Sequence, residues 1–161
     1  MKCMQCGGEM VTKRETLFHY TASGLSNVFL ADVEVSKCAE CDEFEVAIPR
    51  VEQLHKVLAT SIAEQTSRLA PEEIRFLRKY LGLSGEDFAR RMGVTASTVS
   101  RWERGHEKMS DMAERLLRLM IATEVPVKNY STELFDRIEE APRSERRIIR
   151  STERGWASEA A

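Results

Sequence analysis

With 161 residues, 42% hydrophobic and 31% charged, the chain has room for one ordinary domain or two small ones and the composition of a globular protein. No run nears the roughly 20 apolar residues needed to span a bilayer, which excludes a membrane helix, and nothing after Met1-Lys2-Cys3 reads as an export signal. The formal net charge of −2 conceals a division: residues 1–69 hold seven cations against ten anions, residues 70–123 ten against eight, and residues 124–161 seven against eight. Any affinity of the middle segment for nucleic acid therefore depends on where its arginines sit rather than on a strong overall field.

Residues 1–49 have strand character. Glu9–Tyr20 and Leu25–Cys38 are rich in Val, Thr, Phe and Leu, and the turn-like Thr21-Ala22-Ser23-Gly24 between them predicts a hairpin. A third run, Phe44–Ile48, ends at Pro49, which has no N–H to donate to a ladder. From Val51 the period changes: Val51, Leu54, Leu58 and Ile62 predict an amphipathic helix, expected to serve with residues 50–69 as a connector. Pro71, Glu72 and Glu73 suit the first turn of another helix. Four helices are expected at 71–81, 85–92, 96–103 and 110–122. Gly82 and Gly93 stand where helices should end, and Ser84 and Thr95 where a hydroxyl can cap the next. Beyond residue 123, a weak amphipathic stretch (Tyr130, Leu134, Phe135, Ile138) precedes Pro142 and the charged run Arg143–Arg154. The extension 124–161 is expected to be partly helical and partly disordered, the last seven residues among the disordered ones.

All four cysteines fall in two C-x2-C pairs, Cys3/Cys6 and Cys38/Cys41, separated by 31 residues. Two residues between cysteines let both sulfurs of a turn face one ion, so two such turns supply a closed tetrahedral thiolate shell, which implies one structural Zn2+. Gly7 and Gly8 suit a tight knuckle, and the hairpin returns the second pair beside the first. A redox dithiol and inert packing are the competing readings. The first calls for a single pair near a βαβ pattern, and coincidence is a poor account of two pairs that use every cysteine. His19 would be a fifth ligand on a shell already closed. A metal would also supply folding energy to about 50 residues with few large apolar side chains.

Within residues 83–105, Phe88, Ala89, Met92, Val94, Val99 and Trp102 form an inward set, and Ala96, Ser97, Ser100 and Arg101 face away from it. Short residues at a helix start allow close approach to base edges, and an arginine one turn on reaches a guanine or a phosphate. A helical domain with no DNA role would bury the same core, and Arg90, Arg91 and Arg104 would then be a solvated face. The ordered sequence of cap, core and polar face favours DNA.

The phrase Thr98-Val99-Ser100-Arg101-Trp102-Glu103-Arg104-Gly105 resembles the Xre/Cro type of helix-turn-helix. Together with the cysteine pairs, residues 1 to about 123 resemble the MqsA/YgiT family of zinc-containing type II antitoxins. That resemblance implies a zinc domain that binds a toxin ribonuclease and a helix-turn-helix domain that dimerises and represses the toxin–antitoxin operon. It carries DNA contacts to Ser97 and Arg101. Ser97 departs from the family, where an amide stands in the best-known member, and Gly85 departs from the Gln with which many Xre-type domains hold a phosphate.

The expected architecture is thus two domains, a small zinc-stabilised β-rich (α+β) domain at 1–49 and an all-α Xre/Cro-like domain at 70–123, joined by 50–69 and followed by the charged extension 124–161. The expected function is that of a cytoplasmic, non-enzymatic DNA-binding repressor, a homodimer on a palindromic operator of double-stranded DNA. Its metal ligands are Cys3, Cys6, Cys38 and Cys41. Its DNA-contacting set is Ser84, Thr95, Ala96, Ser97, Thr98, Ser100, Arg101 and Arg104. A stand-alone zinc transcription factor and a protein-interaction module whose helices only dimerise are the alternatives. His55 and His106 assemble with nothing. Met109, Met112 and Met120 suit core or dimer packing, and no phosphate loop or nucleophile motif appears.

Overall fold

Strand β1 (Met10–His19) and strand β2 (Val28–Cys38) form the expected antiparallel hairpin, in register from Met10↔Cys38 to His19↔Phe29, with a short 3-10 turn at Thr21–Ser23 between them. The structure is a computed structural model that describes residues 1–124 and 146–159. Val28, Leu30, Val33 and Val35 of β2 all enter one apolar cluster. The buried set shifts from even to odd positions across Asp32, where a φ of 54° breaks the pleat.

Two segments share the other edge of β2. Glu34–Lys37 pair antiparallel with β3 (Phe44–Ala47), and Val28–Ala31 pair parallel with β4 (Arg147–Thr152), which in turn pairs antiparallel with β5 (Gly155–Ser158). This corrects the expectation for the C-terminal extension. Residues 147–152 of the charged run are a strand, and 155–158, expected to be disordered, are another. The reason is burial: Ile149 is fully enclosed, Trp156 is buried with its Nε1–H donated to the Pro49 carbonyl, and Arg147 is enclosed beside Glu73 (Nη2 to Oε1 3.6 Å). The stretch Tyr130–Ile138 lies outside the described residues.

Helix α1 (Val51–Glu64) buries Leu54, Leu58, Ala59, Ile62 and Ala63, the face its spacing predicts. It packs on β5 on one side and on the helical half on the other, so the segment expected as a connector lies in the middle of the core. The buried cluster runs without a break from Val28 and Leu30 through Leu54 and Leu58 to Leu77, Leu117 and Ile121. Helices α2 (Pro71–Tyr80), α3 (Gly85–Met92), α4 (Ala96–Arg104) and α5 (Asp111–Glu124) follow within a residue or two of the expected bounds. Among the described residues, no helix is long and apolar enough to cross a membrane.

The turn between α1 and α2 would leave backbone carbonyls without partners, and a buried arginine supplies them. Arg118 of α5 donates to the carbonyls of Ala63, Gln65 and Ser67 and pairs with Glu114 (2.8 Å), whose Oε1 also accepts from Leu69 N–H. From the other side Glu73 accepts from Gln65 Nε2 and Ala70 N–H. The turn between the two halves is thereby bonded into the core.

Candidate zinc centre and nucleic-acid interface

The four cysteine sulfurs lie within 4.8 Å of one another. Cys3 Sγ is 3.6 Å from Cys41 Sγ, and Cys6 Sγ is 3.4 Å from Cys38 Sγ. Zn–S bonds of about 2.3 Å in a tetrahedron require sulfurs about 3.8 Å apart, so the donor set fits Zn2+ with little adjustment. Each knuckle is closed by its own backbone. The first turns back through Gly7 N–H to Cys3 O and Cys3 N–H to Gly8 O, and the second is held by Cys38 N–H to Glu43 O. Gly8 lies close to the other knuckle: a Cβ there would come within 2.9 Å of the exposed Glu40 side chain, which would have to swing aside.

Backbone amides also reach the sulfurs, Gly8 N–H to Cys6 Sγ and Glu40 N–H to Cys38 Sγ, both at 3.4 Å. Donation from Glu40 is the main reason the Cys38 thiol is lowered to about 7. At Cys41 the Glu43 amide acts in the same direction, but the Cys6 sulfur, burial and the remaining sulfurs outweigh it and push the thiol up to about 12. Four thiols so crowded cannot all ionise without a cation, and a bound Zn2+ deprotonates its thiols outright. His19 contributes nothing to this shell: its Nε2 lies 2.8 Å from the Ser26 carbonyl, and its ring stacks on Phe29.

In the helical half, Ser84 Oγ accepts from Asp87 N–H to cap α3, and Thr95 Oγ1 accepts from Thr98 N–H to cap α4. Of the expected inward set, Phe88, Ala89, Val99 and Trp102 are buried, and Met92 and Val94 pack against them half-buried. Ser84, Thr95, Ala96, Ser97, Arg101 and Arg104 are exposed, and Thr98 and Ser100 are half-buried. Arg78 fixes α4 against α2: Nε and Nη2 bind the two carboxylate oxygens of Glu103 at 2.5 and 3.1 Å, and Nη1 donates to Leu83 O. Over this pair opens a groove of about 350 Å³ rimmed by Arg75, Lys79 and Arg104, beside Ala96 and Ser100.

A family model described as the antitoxin component of a bacterial toxin–antitoxin system, MqsA, matches residues 1–123. The chain belongs to the MqsA antitoxin family. No curated protein matches it. The family match ends at the last turn of α5, so β4 and β5, which complete the sheet of this MqsA-family chain, lie outside it.

Three residues beside the expected DNA contacts were not singled out from sequence. Arg75 and Lys79 face the groove from α2, and the run Arg75-Phe76-Leu77-Arg78-Lys79 at helical spacing was the available signal. Glu107 lies next to Arg101, and nothing in the sequence signals that contact.

Proposed function

We propose that this antitoxin is a sequence-reading autorepressor in which α3 and α4 act as a helix-turn-helix. Helix α4 lies in the major groove with Ser97 and Arg101 toward base edges. Thr95, Ala96, Thr98 and Ser100 make the close approach around them, and Ser84 and Arg104 contact the flanking backbone. The observation that carries this reading is the exposed polar face Ala96-Ser97-Arg101, presented by a helix that is capped at its start by Thr95 and braced from behind by the Arg78–Glu103 pair. The cationic rim of Arg75, Lys79 and Arg104 supports it, because phosphates flanking a docked helix need positive charge nearby.

The protein acts as a homodimer on a palindrome whose half-sites are about one helical turn, roughly 34 Å, apart. Met112, Leu116 and Leu119 support the dimer, being exposed apolar residues at one-turn spacing on α5. The zinc-bearing sheet of residues 1–49 holds the toxin, and family membership supports that role.

The test is fluorescence anisotropy on duplex DNA from immediately upstream of the gene, against a scrambled duplex, over a salt series. Wild type should prefer the upstream duplex. Arg101→Ala should weaken that binding by roughly 1–3 kcal/mol with zinc content unchanged. Equal affinity of wild type for both duplexes would remove the repressor reading and leave the helices as a dimerisation module.

A further inference from the structure

Arg101, an exposed cation of α4 one turn after Ser97, has each guanidinium nitrogen engaged within the chain. Its Nη1 donates to Ser97 Oγ (3.2 Å) and Nη2 to Thr98 Oγ1 (3.1 Å), both on its own helix, and Nε donates to Glu107 Oε2 (2.7 Å), which is not. Glu107 is brought there by a fixed turn. Helix α4 ends at Gly105 with φ 74°, the left-handed conformation glycine favours, and the next amide, His106 N–H, returns to the Arg101 carbonyl at 2.9 Å. Two residues beyond Glu107 the chain is anchored again, with Met109 buried and its carbonyl accepting from Arg68 Nη2. The carboxylate is held at both ends of a short turn and aimed at the arginine.

A carboxylate on a DNA-facing surface is costly to non-specific affinity, because every phosphate repels it. It gains a use only if it controls the arginine. A guanidinium has five N–H groups. Three are taken here, which leaves one on Nη1 and one on Nη2 to donate to the acceptors of a base edge. We infer that Glu107 is a specificity-determining residue of the DNA site proposed above: it holds Arg101 in a base-reading pose and repels phosphates that would take the guanidinium without regard to sequence. Removing the carboxylate frees Arg101 to turn to any nearby phosphate, so affinity for arbitrary DNA rises while the advantage of the operator shrinks.

This rests on the repressor reading, and two measurements on full-length zinc-loaded protein separate their failures. The first needs no DNA. In NMR spectra near neutral pH the Arg101 Nε–H, assigned by its loss in Arg101→Lys, should be protected from solvent exchange in wild type and broadened in Glu107→Ala. The second is the anisotropy assay on upstream and scrambled duplexes. Glu107→Ala should bind the scrambled duplex more tightly, with a salt slope steeper by up to about one, and should cut the preference for the upstream duplex about tenfold. Glu107→Gln, which keeps an acceptor but no charge, should fall between. An unchanged Nε–H signal, or a preference that Glu107→Ala preserves or raises, overturns the assignment. If wild type shows the protected Nε–H but no preference for either duplex, the repressor reading has failed and takes the specificity role with it.

Discussion

Arg118→Ala tests whether the turn between α1 and α2 is held by buried charge. The Arg118 and Glu114 side chains are 1% and 2% exposed, and Arg118 is the donor for three carbonyls of residues 63–67. Truncating one partner of a buried pair costs roughly 3–5 kcal/mol, chiefly because the other charge is stranded. Here Glu114 keeps a second cation, Arg68 Nε at 2.7 Å, and the Leu69 amide, which places the loss at the lower end, about 3 kcal/mol. For a chain of this size that is a fall in Tm of about 6–12 °C. The assay is urea denaturation followed by circular dichroism in saturating zinc, with wild type, Arg118→Ala and the double variant Glu114→Gln/Arg118→Met. The double variant removes the stranded charge and refills the space, so it should be more stable than Arg118→Ala. A loss below about 1 kcal/mol in Arg118→Ala, or a double variant less stable than the single, would refute the reasoning.

Trp156→Ala should destabilise by about 3–5 kcal/mol and open the C-terminal strands to protease, since the indole is buried and tied to the Pro49 carbonyl; a melt within about 1 kcal/mol of wild type would mean that these strands do not contribute to the core. Cys38→Ser should abolish zinc binding, measured as metal per chain by mass spectrometry, and lower the melting temperature of the helices as well, because the apolar core is continuous between the halves; retention of full zinc would contradict the four-thiolate shell. Asp87 is held below the usual carboxylate range by the Ser84 hydroxyl and then by Arg90, and Asp111 likewise by Arg68. A depressed folded-state pKa stabilises fully above the unfolded value of about 3.9 and is lost as pH falls through the folded one. The difference in Tm between wild type and Asp87→Asn should therefore be present at pH 7 and vanish in strong acid, and a difference that grew on acidification would have the wrong sign.

What could be read along the chain is what local chemistry decides. A hydroxyl before a helix and a glycine after it act on amides and carbonyls within four residues, so Ser84, Gly93, Thr95 and Gly105 mark α3 and α4 with no knowledge of the rest of the molecule. Two sulfurs three positions apart define half a tetrahedron in the same local way, and the hairpin between the pairs closes it. The period of α1 likewise gives the buried face Leu54, Leu58 and Ile62, though not the surfaces against which that face packs.

The tertiary structure decided what depends on partners far away in the chain. Residues 147–158 read as part of a charged extension, partly helical and partly disordered, because a parallel strand is recruited through backbone groups, and the free edge of β2 that accepts β4 is more than a hundred residues distant. Nothing along the chain marks Arg147 and Arg118 as buried, because burial of a cation is permitted only by the carboxylates and carbonyls the fold brings to it, here Glu73, Glu114 and the turn between α1 and α2. Glu107 reads as one more acidic loop residue until the left-handed turn at Gly105 folds it back onto Arg101. Sequence alone determined the four-cysteine cluster and the bounds of α3 and α4, because capping and thiolate geometry act over a few residues. Their fusion through one core, and the carboxylate that holds Arg101, were set only where distant segments meet.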